Sequence, residues 1–133
     1  MKKLLFAVLL ISLILVLTAC NKDKTDPKFE DQSTTVVAVL EEEGFVLTKH
    51  DQDSCQYFQD NTVANLGLDL NVIELYIGYL DSGSWVQIIA FDSENSATQF
   101  KEAYLLDDST ILTYQDQNSV LLTYTQATID LFN

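Results

Sequence analysis

His50 and Cys55 lie in the stretch HDQDSCQ, and these two residue types together can supply a nucleophile. An imidazole next to a thiol lowers the thiol pKa and activates the sulfur. Their spacing across a predicted loop-to-helix junction says nothing about the distance between them in space. A cysteine on the inner side of a helix more commonly serves as a small buried hydrophobic residue. We therefore predict that the Cys55 thiol is shielded, keeps a high pKa and is not catalytic.

Three carboxylates in the same region, Asp51, Asp53 and Asp60, raise the question of a metal site. The stretch from Asp51 begins like an EF-hand calcium loop, which places oxygen ligands at alternate positions. The loop then requires another oxygen ligand, a glycine and a glutamate, and the residues at those positions are Cys55, Gln56 and Thr62. A looser divalent-cation site made by the three aspartates is the alternative to a solvated loop and helix cap, and we predict the latter.

Other catalytic motifs are missing from the sequence. Ser82 and Ser84 flank Gly83 between two predicted strands, whereas a nucleophile elbow joins a strand to a helix. No phosphate-binding loop, dinucleotide fingerprint or zinc-ligand spacing occurs, and the chain has one histidine and no arginine. We predict no cofactor. An extracytoplasmic hydrolase that uses acidic residues, with or without a divalent cation, stays open as the alternative to a non-catalytic binding module.

The chain is strongly acidic, with a formal net charge of −13 over 133 residues. From residue 34 onward, the lysines Lys49 and Lys101 stand against 16 carboxylates. Such a surface repels nucleic-acid phosphates and anionic lipid headgroups. We exclude nucleic acid as a partner and interpret the acidity as a solubility feature, with attraction of cations or basic ligands as the alternative.

The N-terminal segment has the order of a secretory signal. Two lysines follow the first methionine, an almost continuous apolar run covers residues 4–17, and the sequence Leu17-Thr18-Ala19-Cys20 closes it. The run is shorter than the roughly 20 residues that cross a bilayer. Its closing residues resemble the lipobox of bacterial lipoproteins, with an uncleaved signal anchor as the alternative. The resemblance implies that signal peptidase II cleaves before Cys20, and that a lipid on Cys20 holds the protein on the extracytoplasmic face of the cell membrane.

These observations divide the chain into three parts. Residues 1–19 are the predicted signal peptide, residues 20–33 are the lipidated cysteine with a flexible polar tether, and residues 34–133 are one acidic α+β domain. With Cys20 lipidated, Cys55 has no partner for a disulfide, so packing must stabilise the domain.

Apolar periodicity and turn residues predict the elements of this domain. Gly44 and Gly67 are predicted helix stops, Asp53 or Ser54 caps the second helix, and Thr125 caps the last one. The predicted elements are a helix (34–43), a strand (45–49), a helix (53–66), a hairpin (72–80 and 85–91), a helix (93–106), a second hairpin (111–114 and 120–124) and a short helix (126–132).

The element order from residue 45 to residue 114 is β-α-β-β-α-β. This order predicts an α+β, ferredoxin-like (split βαβ) antiparallel sheet with helices on one face, to which N- and C-terminal elements are added. The segments IIAFDSENSATQF and NSVLLTYTQATIDLF are similar to strand-to-helix segments of small, functionally uncharacterised lipoproteins of Gram-positive-type bacteria. That resemblance implies no chemistry.

A sheet with helices on one side leaves its other face in need of a cover or a polar surface. On the strand over residues 72–80, that second face takes Tyr76 and Leu80, together with Val72, Glu74 and Gly78. Tyr76 and Leu80 are the predicted recognition surface, provided that the terminal elements do not cover them. The function that we expect is a lipid-anchored extracytoplasmic binding or interaction module for an unknown protein or small-molecule ligand.

Overall fold

The structure is a computed structural model that describes residues 27–133, with side chains from residue 35 onward. The predicted signal peptide, its cleavage context at Leu17, Thr18 and Ala19, and the lipidated Cys20 lie outside the described residues. Nine α-helices and β-strands follow one another in the described part: α1 (Pro27–Glu42), β1 (Val46–Lys49), α2 (Gln52–Phe58), β2 (Val72–Tyr79), β3 (Trp85–Phe91), α3 (Glu94–Asp107), β4 (Leu112–Asp116), β5 (Ser119–Thr123) and α4 (Gln126–Asp130).

The five strands form one antiparallel sheet in the order β1-β2-β3-β5-β4. The predicted α+β class and the antiparallel sheet are therefore confirmed. The ferredoxin-like arrangement is not confirmed, because a split βαβ unit keeps the two strands that flank its helix apart. Here α2 connects β1 to β2, and these strands are direct neighbours, with Val46 opposite Tyr79.

Helices cover both faces of the sheet, which corrects the prediction of helices on one face. On the first face, α2 and α3 bury Phe58 and Phe100 against Ile89 and Val120. On the second face, α1 and α4 pack over a separate core that contains Leu40, Val86, Ile88, Leu121 and the partly buried Ile129. Strands β3 and β5 carry buried apolar side chains on both faces of the sheet, so both faces need a cover. The terminal helices α1 and α4 cover the second face.

The first helix starts inside the segment predicted as a tether. Pro27 is its first residue, a position where the missing N–H of proline is harmless and its fixed φ suits a helix. The predicted stop is confirmed, since Gly44 has a φ of +101° and the Phe45 N–H donates to the Leu40 carbonyl at 3.1 Å. The helix therefore begins seven residues before the predicted start at residue 34.

The second helix is capped by Asp51, two or three residues earlier than the predicted Asp53 or Ser54, and its last turn is π-helical. The Asp51 carboxylate accepts the Ser54 N–H at 2.9 Å, and after Phe58 the helix continues as a π-helical turn, Gln59–Val63. The side chain of Gln59 leaves the helix and accepts the Val72 N–H at 3.0 Å. This bond ties the π turn to the start of β2.

A β-bulge lies at the start of β2, between Val72 and Glu74. It turns Val72, which pairs with Phe91, toward the core under α2 and α3, whereas strict alternation placed it on the opposite face. The rest of the predicted hairpin is confirmed, with the turn over residues 81–84 closed by the Leu80 N–H on the Ser84 carbonyl at 2.9 Å.

Gly78 fixes the position of β1 on the sheet. It stands directly opposite Leu47, and a Cβ at this position would meet the Leu47 side chain and lie 2.9 Å from the Val46 carbonyl oxygen. The absence of a side chain therefore allows Leu47 to pack across the backbone of β2.

Candidate functional site

The surface predicted from Tyr76 and Leu80 is covered. Both side chains are partly buried against the core under α1 and α4. The Lys49 ammonium lies 5.8 Å from the centre of the Tyr76 ring and 3.6 Å from a carboxylate oxygen of Glu74. Glu74 raises the pKa of Lys49, and burial raises the pKa of Tyr76. The condition for a recognition surface on this face is not met, because the terminal helices occupy it.

The opposite face of the sheet is open at one end. There, four apolar side chains form a row, one each from β1, β2 and β3 and one from the residue directly after β5. Val46 pairs with Tyr79, Tyr79 pairs with Trp85, and the Trp85 and Tyr124 rings lie 5.8 Å apart. Val46 is 72% exposed, and Tyr79 and Tyr124 are each 57% exposed. These four side chains lie on one face because directly paired residues of antiparallel strands point to the same side. We call them the aromatic row.

Next to the aromatic row, two adjoining hollows run between the sheet and α2. The larger has a volume of about 470 Å³ and includes Tyr57, Leu75 and Gln87 in its lining. The smaller, of about 380 Å³, includes Val46, Thr48 and Tyr79 in its lining. His50 and Ile77 belong to both, so the two hollows form one groove. We call the groove together with the aromatic row the open face.

Local sequence explains how the elements frame the groove. The His50 N–H donates to the Leu75 carbonyl at 2.8 Å, so β1 stays paired with β2 up to the point where the chain turns. Asp51 then caps α2 at once, and the helix rises beside the end of β1. Phe58 faces the core, whereas Tyr57, one residue earlier, points outward and is 72% exposed. The groove therefore has an aromatic wall on the helix side.

The rim of the groove is negatively charged. Asp51 and Asp53 are among its lining residues and are exposed. Hydrogen bonding from the Ser54 backbone lowers the pKa of Asp51, so this carboxyl group is ionised at neutral pH. Lys49, the lysine adjacent to this region in sequence, points to the opposite face and interacts there with Glu74. An apolar floor with an acidic rim suits a ligand that is both apolar and basic.

The structure places Cys55 as the sequence predicted and separates it from the groove. Its side chain is 2% exposed and belongs to the core with Phe58 and Val63. Burial raises the pKa of the thiol, with a smaller contribution from Asp51 in the same direction. His50 lines the groove instead. The prediction of a shielded thiol is confirmed.

The three aspartates considered for a metal are used in other ways. Asp51 caps α2, and Asp60 accepts a hydrogen bond from the Gln56 amide at 2.8 Å. Among the side chains that the structure describes, those of residues 35–133, no group of three or more histidine, cysteine or carboxylate side chains is placed to hold a metal ion. Asp51 is thus the helix cap, and Asp53 lies exposed in the first turn of α2.

Sequence reasoning missed the residues of the open face. Only the face of the strand that carries Tyr76 and Leu80 is predicted as a recognition surface, and strict alternation places Tyr79 on the other face. The available signal is that two large aromatic residues, Tyr79 and Trp85, lie close to the 81–84 turn of the predicted hairpin, where cross-strand aromatic pairs can form.

No family model, curated protein or solved structure matches this chain. Over the part that the structure describes, no helix is both long enough and apolar enough to span a bilayer.

Proposed function

We propose that this protein is a lipid-anchored, extracytoplasmic binding module and that the open face is its binding surface. The observation that carries the proposal is the aromatic row, in which Val46, Tyr79 and Tyr124 are more than half exposed beside an apolar groove. Contiguous exposed apolar surface of this kind costs solubility and is typical of interaction sites. Aromatic side chains also contribute much of the binding energy at protein interfaces.

The anchoring part of the proposal rests on the sequence before the described residues. A signal-like segment that ends in Leu17-Thr18-Ala19-Cys20 supports lipidation of Cys20 and retention at the outer side of the cell membrane. Replacement Cys20→Ala is expected to abolish labelling by a fatty-acid analogue and to leave unprocessed precursor. Replacement Cys55→Ala is the matched control and keeps both labelling and processing. A Cys20→Ala protein that is still labelled and matured contradicts the anchor.

The binding surface is tested by site-specific photo-cross-linking in the membranes of cells that make the protein. A photoreactive aromatic amino acid replaces Tyr79 or Tyr57 on the open face, and Leu106 serves as the control position. Leu106 is 89% exposed at the end of α3, so it samples solvent without belonging to the groove. We expect one discrete cross-linked product from the two groove positions and none from Leu106. Equal products from all three positions, or none from Tyr79 and Tyr57, would refute the open face as the binding surface.

A further inference from the structure

The strand that borders the groove, β1, is an edge of the sheet. It pairs with β2 on one side, and no other strand of the described chain pairs with it. The bond from the His50 N–H to the Leu75 carbonyl shows which residues form the close hydrogen-bonded pairs of this ladder. In an antiparallel ladder these pairs alternate, so the N–H and C=O groups of Leu47 and Lys49 point away from β2. Two residues thus present a donor and an acceptor each at the free edge.

The two edges of the sheet differ in their accessibility. In β1, Val46, Thr48 and Lys49 are exposed and Leu47 is partly buried. At the other edge, every side chain of β4 is partly buried, and the amide of Gln115 is held by Thr98 at 3.0 Å. A further strand can approach β1 without displacing an element of residues 27–133. Its side chains would alternate between the open face, beside Val46 and Thr48, and the face that carries Lys49.

The sequence around β1 sets the charge of such a strand. Glu41, Glu42 and Glu43 lie three to five residues before its first residue, and Asp51 and Asp53 follow it. The glutamates stand at the C-terminal end of α1, where the helix dipole disfavours negative charge, so they do not stabilise this helix. The carboxylates before and after β1 therefore favour a partner strand that is positively charged. A second copy of the chain is disfavoured, because each copy has a net charge of −13.

We propose that β1 binds an extended, basic segment of a partner protein by strand addition, and that apolar side chains of this segment occupy the groove. The proposal rests on the open face being the binding surface and names the partner's chemistry. Main-chain hydrogen bonds to Leu47 and Lys49 hold the segment, as in other cases of β-augmentation. The hollow lined by Val46, Ile77 and Tyr79 receives an apolar side chain, and the flanking carboxylates attract lysine or arginine.

The first test is binding of a synthetic probe to the full-length protein in neutral detergent micelles. The probe is a seven-residue peptide that alternates lysine with valine and tyrosine, and the control is the same peptide with glutamate in place of lysine. We expect the basic peptide to bind, to weaken on the order of tenfold when salt rises from about 0.05 to about 0.5 M, and the acidic peptide not to bind. Equal binding of both peptides, or of neither, overturns the proposal.

Amide hydrogen exchange reports the geometry of the bound peptide. Strand addition slows exchange at Leu47 and Lys49, whose N–H groups point to the free edge, and leaves Val46 and Thr48 unchanged because they are already bonded to β2. Protection that does not alternate along β1 overturns strand addition. Sedimentation of the protein alone shows whether it forms a dimer. A dimer in which Leu47 and Lys49 are protected would mean that a second copy of the chain binds the β1 edge, and this would contradict the basic partner.

A matched pair of variants isolates the edge hydrogen bond. Lys49→Pro and Lys49→Ala both remove the contact with Glu74, but only proline removes the outward N–H, and proline is tolerated at such an edge position. We expect Lys49→Pro to bind the basic peptide about fivefold more weakly than Lys49→Ala, the effect of one hydrogen bond. Equal affinities contradict strand addition. If they are equal while Tyr79 still cross-links a partner in membranes, the open face remains the binding surface and only the mode of binding is wrong.

Discussion

Replacing Gly78 with alanine tests whether the close contact between β1 and β2 holds the edge strand in place. The new Cβ would collide with the Leu47 side chain and lie 2.9 Å from the Val46 carbonyl oxygen, a distance that real Cβ atoms essentially never show. The strand must therefore shift, and with it the wall of the groove. Gly83→Ala is the control for the loss of a glycine, since its Cβ would meet no atom within 4 Å, although its φ of +92° carries its own strain.

The expected size of the effect follows from two opposing contributions. Overpacking at a close contact costs typically 1–3 kcal/mol, about 2.5 kcal/mol for this nearly closed space. Alanine in a strand recovers about 0.5–1 kcal/mol of the backbone entropy that glycine loses. We expect Gly78→Ala to lower the free energy of unfolding by about 1.5–2 kcal/mol, from a total that for domains of this size is about 5–15 kcal/mol.

Urea denaturation followed by circular dichroism measures this loss, and a double-mutant cycle with Leu47→Ala identifies its cause. Leu47→Ala alone is expected to cost about 1–2 kcal/mol, less than a fully buried leucine because the side chain is partly exposed. In the double variant the shortened side chain makes room, so the two costs should overlap by about 1 kcal/mol or more. Costs that add within about 0.5 kcal/mol would refute the collision as the source of the loss.

Two further predictions concern buried and capping side chains. The Cys55 thiol should react slowly with a thiol reagent in the folded protein and quickly in denaturant. Replacement Cys55→Ser should lower the free energy of unfolding by about 1–2 kcal/mol, because it places a hydroxyl in an apolar site. Fast reaction of the native protein that depends on His50 would contradict the burial of the thiol. The lowered pKa of Asp51 means that its stabilisation is present above the unfolded-state pKa and is lost as the pH falls through the folded-state pKa. On going from pH 7 to about pH 3, the urea midpoint of the wild type should therefore fall more than that of Asp51→Asn, which keeps a capping oxygen; parallel decreases in the two midpoints would contradict this role of the carboxylate.

Local features of the fold could be predicted because their causes lie within a few residues. Gly67 ends the helical segment with a φ of +76°, and the Leu68 N–H returns to the Val63 carbonyl, as a left-handed stop requires. The hairpin from β2 to β3 follows from two apolar runs around a polar turn. The burial of Cys55 follows from its place on the inner side of α2. In each case the sequence neighbours decide the conformation.

The arrangement of the elements depends on contacts between distant residues and could not be predicted in the same way. The order β-α-β-β-α-β is compatible with several strand orders, and the pairing of β1 with β2 and of β3 with β5 distinguishes the observed one. The bulge at Val72 reverses the alternation locally, because the Gln59 side chain binds the Val72 N–H from another element. Tyr76 and Tyr79 lie on opposite faces of the same strand. The helices α1 and α4 pack over the face of Tyr76, so Tyr79 is the side chain that stays exposed.

The packing of α1 and α4 on the same face of the sheet has a consequence for how the domain can be attached to other objects. The described chain enters through α1 and leaves after α4, so both attachment points belong to the layer opposite the groove. An affinity tag or a surface linked after α4 is joined to that layer, which lies on the side of the sheet away from the groove. Immobilisation after α4 therefore favours an orientation that presents the groove to a soluble partner.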